Sequence, residues 1–152
     1  APVPGLAHAQ LLVTPAPFNT LLWRAVAVTP THYYEGYYSL LDGPRPMRWT
    51  EHDRGAALYQ AHGASALVQR VARFSHGFFK MSAAGGEVFI TDLRMGYEPH
   101  YSFHFNLGTP AELASGQHTT TQEWQRPDLA TALPWLWERM WGGDAPLPGG
   151  AG

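Results

Sequence analysis

Leu21-Leu22-Trp23-Arg24-Ala25-Val26-Ala27-Val28-Thr29, then Pro30-Thr31, then His32-Tyr33-Tyr34-Glu35-Gly36-Tyr37-Tyr38-Ser39-Leu40-Leu41: these 21 residues decide the fold class. Both runs are rich in β-branched and aromatic side chains, which suit a pleated, half-buried surface. Pro30 has no backbone N–H and a fixed φ, so it punctuates between them. The reading is two strands, with Asp42-Gly43-Pro44 ending the second. Upstream, Thr14-Pro15-Ala16-Pro17 is a non-helical lead-in, because each proline restrains itself and the residue before it.

Beyond the second strand the period changes. Ala56, Leu58, Tyr59 and Ala61 make one short amphipathic helix; Leu67, Val68, Val71 and Phe74 make another, with Gly63 as the break and Ser65 as the N-cap of the second. Strands return over Gly77 to Ser82 and Glu87 to Leu93, joined by the hairpin signal Gly85-Gly86. Tyr101 to Leu107 alternates, placing Tyr101, Phe103, Phe105 and Leu107 on one face. A polar loop from Gly108 to Thr121 leads to a last helix over Leu129 to Trp141, with Pro134 at a kink or a new first turn. The order favours an α+β domain with one antiparallel sheet of about five strands and helices packed on one face. The expected organisation is a linker over 1–12, a single domain over 13–141 and a flexible tail over 142–152, the two ends being rich in Pro and Gly. The start at Ala1 fits a piece of a longer protein.

Composition narrows the function classes. With 45% hydrophobic and 13% aromatic residues over 152 positions, the chain can build a packed core and is not intrinsically disordered. The net charge is −2, and the nine arginines and single lysine, Lys80, form no run, so a nucleic-acid partner is not expected. No cysteine is present, which excludes disulfides and thiolate metal sites. Apolar stretches fall short of the ~20 residues that a spanning helix needs.

Charged residues inside strand-like runs are the candidate polar site. Arg24 shares a face with Leu22, Val26 and Val28; Glu35 alternates with Tyr33 and Tyr37; Asp92 and Arg94 follow Val88 and Ile90 at period two. Buried, such charges need partners. The reading predicts an Arg24–Glu35 or an Arg24–Asp92 contact, with Arg94 nearby. It is open between an ion-pair network that fixes strand register, a floor that binds a ligand such as an anion at the two arginines, and exposed edge charges. His104 joins this polar set as the strand-borne histidine.

Eight histidines invite a metal hypothesis, but their spacing does not support one. On a strand, His100 and His104 would be roughly 13 Å apart, against metal–nitrogen bonds of ~2.0–2.1 Å. No H-E-x-x-H or H-x-H motif occurs, so no metal is expected in this chain. No G-x-S-x-G elbow, Walker loop or G-x-G-x-x-G is present either, and the adjacency of Ser75 and His76 does not make a dyad, since neighbours on a strand point to opposite faces. Trp135, Trp137 and Trp141 read as core, or as a patch facing a partner or membrane.

Four segments carry a family resemblance. Val13 to Arg24 (VTPAPFNTLLWR), Tyr33 to Asp42 (YYEGYYSLLD), Arg73 to Phe79 (RFSHGFF) and Ile90 to Gly96 (ITDLRMG) resemble the C-terminal region of the bacterial membrane-bound, metal-dependent hydrolase-like family, the LexA-regulated inner-membrane hydrolase-like proteins. That resemblance implies an N-terminal half of membrane helices carrying the His and Asp ligands of a divalent metal, followed by a soluble domain that this chain represents. It implies attachment to the bacterial inner membrane and, as partner, the membrane domain of the same chain. None of the metal ligands transfers onto residues here. The expectation is therefore an accessory domain, not catalytically complete alone. The alternatives are a small-molecule or partner-binding module and a contributor of polar residues to a composite hydrolase site.

Overall fold

The computed structural model describes residues 6–17, 20–117, 120–123, 128–146 and 148. The parts of the expected linker at Ala1–Gly5 and of the tail at Leu147 and 149–152, together with Phe18-Asn19 of the first resembling segment and Trp124, lie outside the described residues. The chain packs as two compact units, one drawn from Ala1–Thr29, Tyr34–His52 and Pro127–Gly152, the other from Pro30–Tyr33 and Asp53–Arg126.

Strands β1 (Gln10–Pro15), β2 (Leu22–Val28), β3 (His32–Ser39) and β4 (Arg48–Asp53) line up in the order β1-β2-β3-β4, and the first unit takes all of them but His32, Tyr33 and Asp53. β1 and β2 are antiparallel, with Gln10 opposite Val28 and Thr14 opposite Arg24. β2 is central and almost wholly buried, which explains why its sequence is a near-continuous apolar run rather than an alternating one. Helix α4 (Leu129–Met140) packs on β2, with Pro134 inside it and Asp128 capping its N-terminus by accepting from the Ala130 N–H. Three residues of the expected linker stand in β1, and Gly142 to Pro146 fold back on α4: the Gly143 N–H donates to Glu138 O, and Trp135 Nε1 to Ala145 O.

In the second unit, α1 (Ala56–His62) and α2 (Ala66–Phe74) are separated at Gly63, as the sequence predicts. Ser65 does hold the N-cap position, but its side chain makes no capping hydrogen bond. β5 (Phe79–Ala84) and β6 (Glu87–Asp92) form a hairpin in register from Phe79–Asp92 to Ala84–Glu87, and Gly85 and Gly86 both take the positive φ that a tight two-residue turn requires. The strand order is β10-β9-β6-β5, with β9 at His104–Asn106 and β10 at Thr121–Glu123. A separate hairpin pairs β7 (Gly96–Tyr97) with β8 (His100–Tyr101). Helix α3 (Pro110–Ser115) precedes β10. Val68 and Val71 of α2 meet Phe79, Met81, Val88, Ile90, Leu107 and Leu113 in one apolar cluster.

The architecture is α+β with antiparallel pairing, but the single sheet of about five strands with helices on one face is corrected to two four-stranded sheets and a two-stranded hairpin. Three local facts explain the difference. β4, Arg-Trp-Thr-Glu-His-Asp, is a polar edge strand with no alternating apolar signal. The expected strand over Tyr101 to Leu107 breaks at Ser102-Phe103, so Phe103 and Phe105 are only partly buried while Tyr101 and Leu107 are core. The loop from Gly108 to Thr121 holds α3, which Thr109 and Glu112 start with a reciprocal capping box.

Candidate functional site

Arg24 and Glu35 meet in the first unit. Period two puts Arg24 on one face of β2 and Glu35 on one face of β3, and the neighbouring strands bring Arg24 Nε to 2.5 Å from Glu35 Oε1. The two are 2% and 0% exposed. The Tyr37 hydroxyl, two residues along the same face, donates to Glu35 Oε1 at 3.3 Å. Burial first, and then the negative charge of Glu35, push the Tyr37 phenol well above its ordinary pKa. Glu35 Oε2 is buried and accepts from no protein donor.

Asp92 and Arg94 meet in the second unit, which also holds His104. Arg94 Nη2 donates to Asp92 Oδ2 at 2.7 Å, its Nε sits 3.1 Å from both carboxylate oxygens, and its backbone N–H donates to Oδ1 at 2.9 Å. The hydrogen bond to Asp92 raises the Arg94 pKa further. The guanidinium lies over the Phe74 ring, 4.9 Å from its centre. Of the two partners expected for Arg24, the structure supplies Glu35; Asp92 is held by Arg94. His104 places Nδ1 2.7 Å from Thr91 Oγ1 and stacks on Phe89, and burial lowers its pKa.

A third polar centre escaped sequence reading. Asp42 accepts from Arg139 Nη1 at 2.8 Å and Nη2 at 2.7 Å, a planar two-point contact, and from the Ser39 N–H at 2.8 Å. Arg139 Nη2 also donates to Tyr37 O at 2.9 Å, while Ser39 Oγ donates to Met140 O at 2.6 Å. The end of β3 is thereby tied to the end of α4. Arg139 holds the Asp42 carboxyl below its usual pKa. Asp42 was visible as the strand stop and Arg139 as a helix residue, but 97 positions separate them and no local pattern joins them.

Two openings flank this clamp within the first unit. One cleft, about 490 Å³, has Arg45, Arg48 and Met47 in its walls beside Asp42 and Arg139. A second, half-open cleft, about 310 Å³, is bounded by Glu35, Tyr37, Trp49, Trp135, Arg139 and Asp144, among others. Trp135 is 7% exposed and stands edge-on to Tyr37 at 4.9 Å, so its indole is core, whereas Trp137 and Trp141 are 64% and 56% exposed.

Among the described residues, no three His, Asp or Glu side chains stand together as metal ligands would. Among them too, no helix is long and apolar enough to cross a membrane. Comparison of the chain with known proteins finds no matching family model, no matching curated protein and no matching solved structure.

Proposed function

We propose that this chain is an accessory domain of a membrane-bound, metal-dependent hydrolase of the LexA-regulated inner-membrane type, acting beside a reaction centre held elsewhere in the protein. The proposal starts from the four resembling segments. The observation that carries it is what the charged residues of those segments do. Arg24 is committed to Glu35, Asp42 to Arg139 and Asp92 to Arg94, each in an ion pair with at least one deeply buried partner. A carboxylate already neutralised by a guanidinium is a poor general base or metal ligand, since its lone pairs and charge are spoken for. Charges used this way fix strand register and helix position, as a scaffold requires.

The test is hydrolysis by the purified 152-residue chain of a chromogenic phosphomonoester, phosphodiester and carboxylic ester, each with Mn²⁺ or Zn²⁺. No turnover above buffer is the expected result. Metal-dependent turnover that a chelator abolishes would overturn the proposal. Arg94 separates the scaffold role from a contribution to a composite site. In a protein that includes the membrane half, Arg94→Ala should lower activity only in step with the loss of folded protein. Lost activity at full stability would make Arg94 part of the reaction centre.

A further inference from the structure

The larger cleft of the first unit, about 490 Å³, falls within the roughly 300–1,000 Å³ usual for small-molecule sites. What its wall carries is independent of the hydrolase reading. Three guanidiniums, Arg45, Arg48 and Arg139, stand there against two carboxylates, Asp42 and Asp144. Arg139 and Asp42 answer each other in the clamp. Arg48 meets Asp144 at 2.6 Å, but its side chain is 80% exposed, and water screens so open a pair and competes for it. Arg45 has no carboxylate of its own. The nearest, Asp42 Oδ1, lies 3.5 Å away and already accepts from Arg139 Nη1 at 2.8 Å. Two backbone carbonyls set the Arg45 fork instead: Nε donates to Asp42 O and Nη2 to Gly142 O, each at 3.0 Å. Pro44 and Pro46 stand on either side and restrict the backbone that carries it. The side chain is 56% exposed, and Nη1, with two N–H donors, has no acceptor among the described residues. The cleft thus holds an oriented, reachable guanidinium in excess of its carboxylates, beside the half-buried side chains of Met47 and Trp49. A cation would meet three arginines for one open carboxylate, Asp144, because Asp42 is buried and taken up by the clamp.

We propose that this cleft binds a small organic oxyanion, a carboxylate or phosphate monoester on a flat apolar body, with Arg45 Nη1 and the Arg48 guanidinium donating to the oxyanion and the body against Trp49 and Met47. Charge-assisted bonds from a guanidinium to such oxygens are the stronger kind, and a fork already fixed by carbonyls loses little freedom in making them. Arg48 exchanges a water-screened partner, Asp144, for the ligand.

The experiment is an NMR titration of the chain with benzoate and with phenyl phosphate, run beside benzyl alcohol, benzylammonium and inorganic phosphate. The Arg45 Nε–H and Trp49 indole N–H signals report the location. At least one of the two organic oxyanions should saturate with a Kd of about 1 mM or tighter while shifting both signals. Which of the two binds more tightly identifies the oxyanion. Arg45→Gln, which removes the charge, should weaken that ligand roughly tenfold in a chain whose other amide signals stay in place, and Arg48→Gln should weaken it several-fold. If Arg45→Gln does not fold, Arg48→Gln decides, since its exposed side chain holds no buried partner. The proposal is overturned if neither oxyanion saturates, if binding leaves both reporter signals unshifted, or if the folded variants bind as tightly as the parent. It is overturned equally if benzyl alcohol, benzylammonium or inorganic phosphate binds there as tightly as the organic oxyanions.

Discussion

The Arg24–Glu35 pair gives the most demanding test of the reading that strand charges here are structural. Three variants suffice: Arg24→Met, Glu35→Leu and the two combined. In the parent, 2.5 Å separates Nε from Oε1, and at 2% and 0% exposure no solvent screens the contact. Removing one partner strands the other in the interior, at a cost of roughly 3–5 kcal/mol. Against a total stability of 5–15 kcal/mol, typical of domains generally, each single variant should be severely weakened. Removing both leaves apolar side chains of similar length, and such a swap is often close to neutral. The double variant should therefore be more stable than either single, which requires a coupling larger than the bigger single loss, about 3 kcal/mol or more, at or above the top of the range usual for contacting residues. Urea unfolding followed by tryptophan fluorescence measures the three differences. Because the chain has two compact units, amide exchange of β2 and β3 should be followed in parallel, to confirm that the loss lies in the first unit. The reasoning fails if each single variant costs under about 1 kcal/mol, or if the two effects add to within about 0.5 kcal/mol.

Asp42→Asn should destabilise the first unit by about 3 kcal/mol at neutral pH, since it leaves Arg139 largely buried without its counter-charge; thermal unfolding measures this. The same carboxyl predicts a pH profile. Its folded pKa is depressed by Arg139, so its contribution is present above the unfolded value near 3.9 and is lost as pH falls through the lower folded value. Asp42→Asn should flatten the acid limb of stability against pH, and an unchanged limb would contradict the clamp. His104 should titrate below the ordinary imidazole range in a proton NMR titration, because burial disfavours its charged form; a midpoint at or above about 6.5 would contradict the stacked, half-buried placement. Gly36→Ala should cost roughly 1–3 kcal/mol in denaturant unfolding, because the added Cβ would lie 2.9 Å from the Arg48 carbonyl of β4, which must then shift. Tolerance of alanine there would mean that β3 and β4 are less closely apposed.

What the sequence made legible follows the range over which each signal acts. Arg24 and Glu35 were readable because strand period fixes a face and the Pro30 break places the two runs side by side. Asp92 and Arg94, two residues apart, could pair with each other on geometry alone; the sequence could not say that Arg94 would choose Asp92 over a more distant carboxylate. The clamp of Asp42 by Arg139 is a contact between the ends of two elements far apart in the chain, where neither period nor turn chemistry speaks. β4 hid for the opposite reason: an exposed edge strand has little apolar face to advertise. Helix α3 was within reach. Thr109-Pro110-Ala111-Glu112 carries both a proline at the first helical position and a capping-box glutamate, and these outweigh the polar, loop-like composition around them.

One stretch, Tyr33 to Asp42, ties these results together. Glu35 accepts from both Arg24 and the Tyr37 hydroxyl, while the Tyr37 carbonyl, Ser39 and Asp42 take up Arg139 and the Met140 carbonyl at the end of α4. Trp135, one turn before Arg139 on that helix, closes on the Tyr37 ring. The wall of the second cleft is therefore set by the same contacts that dock the helix. Loosening the Asp42 clamp should move Arg139 and Trp135 together, and with them the space beside Glu35. Asp42→Asn should therefore lower the amide-exchange protection of α4 and shift the Trp135 indole N–H signal together. A loss of protection that leaves the Trp135 signal in place would separate that tryptophan from the clamp.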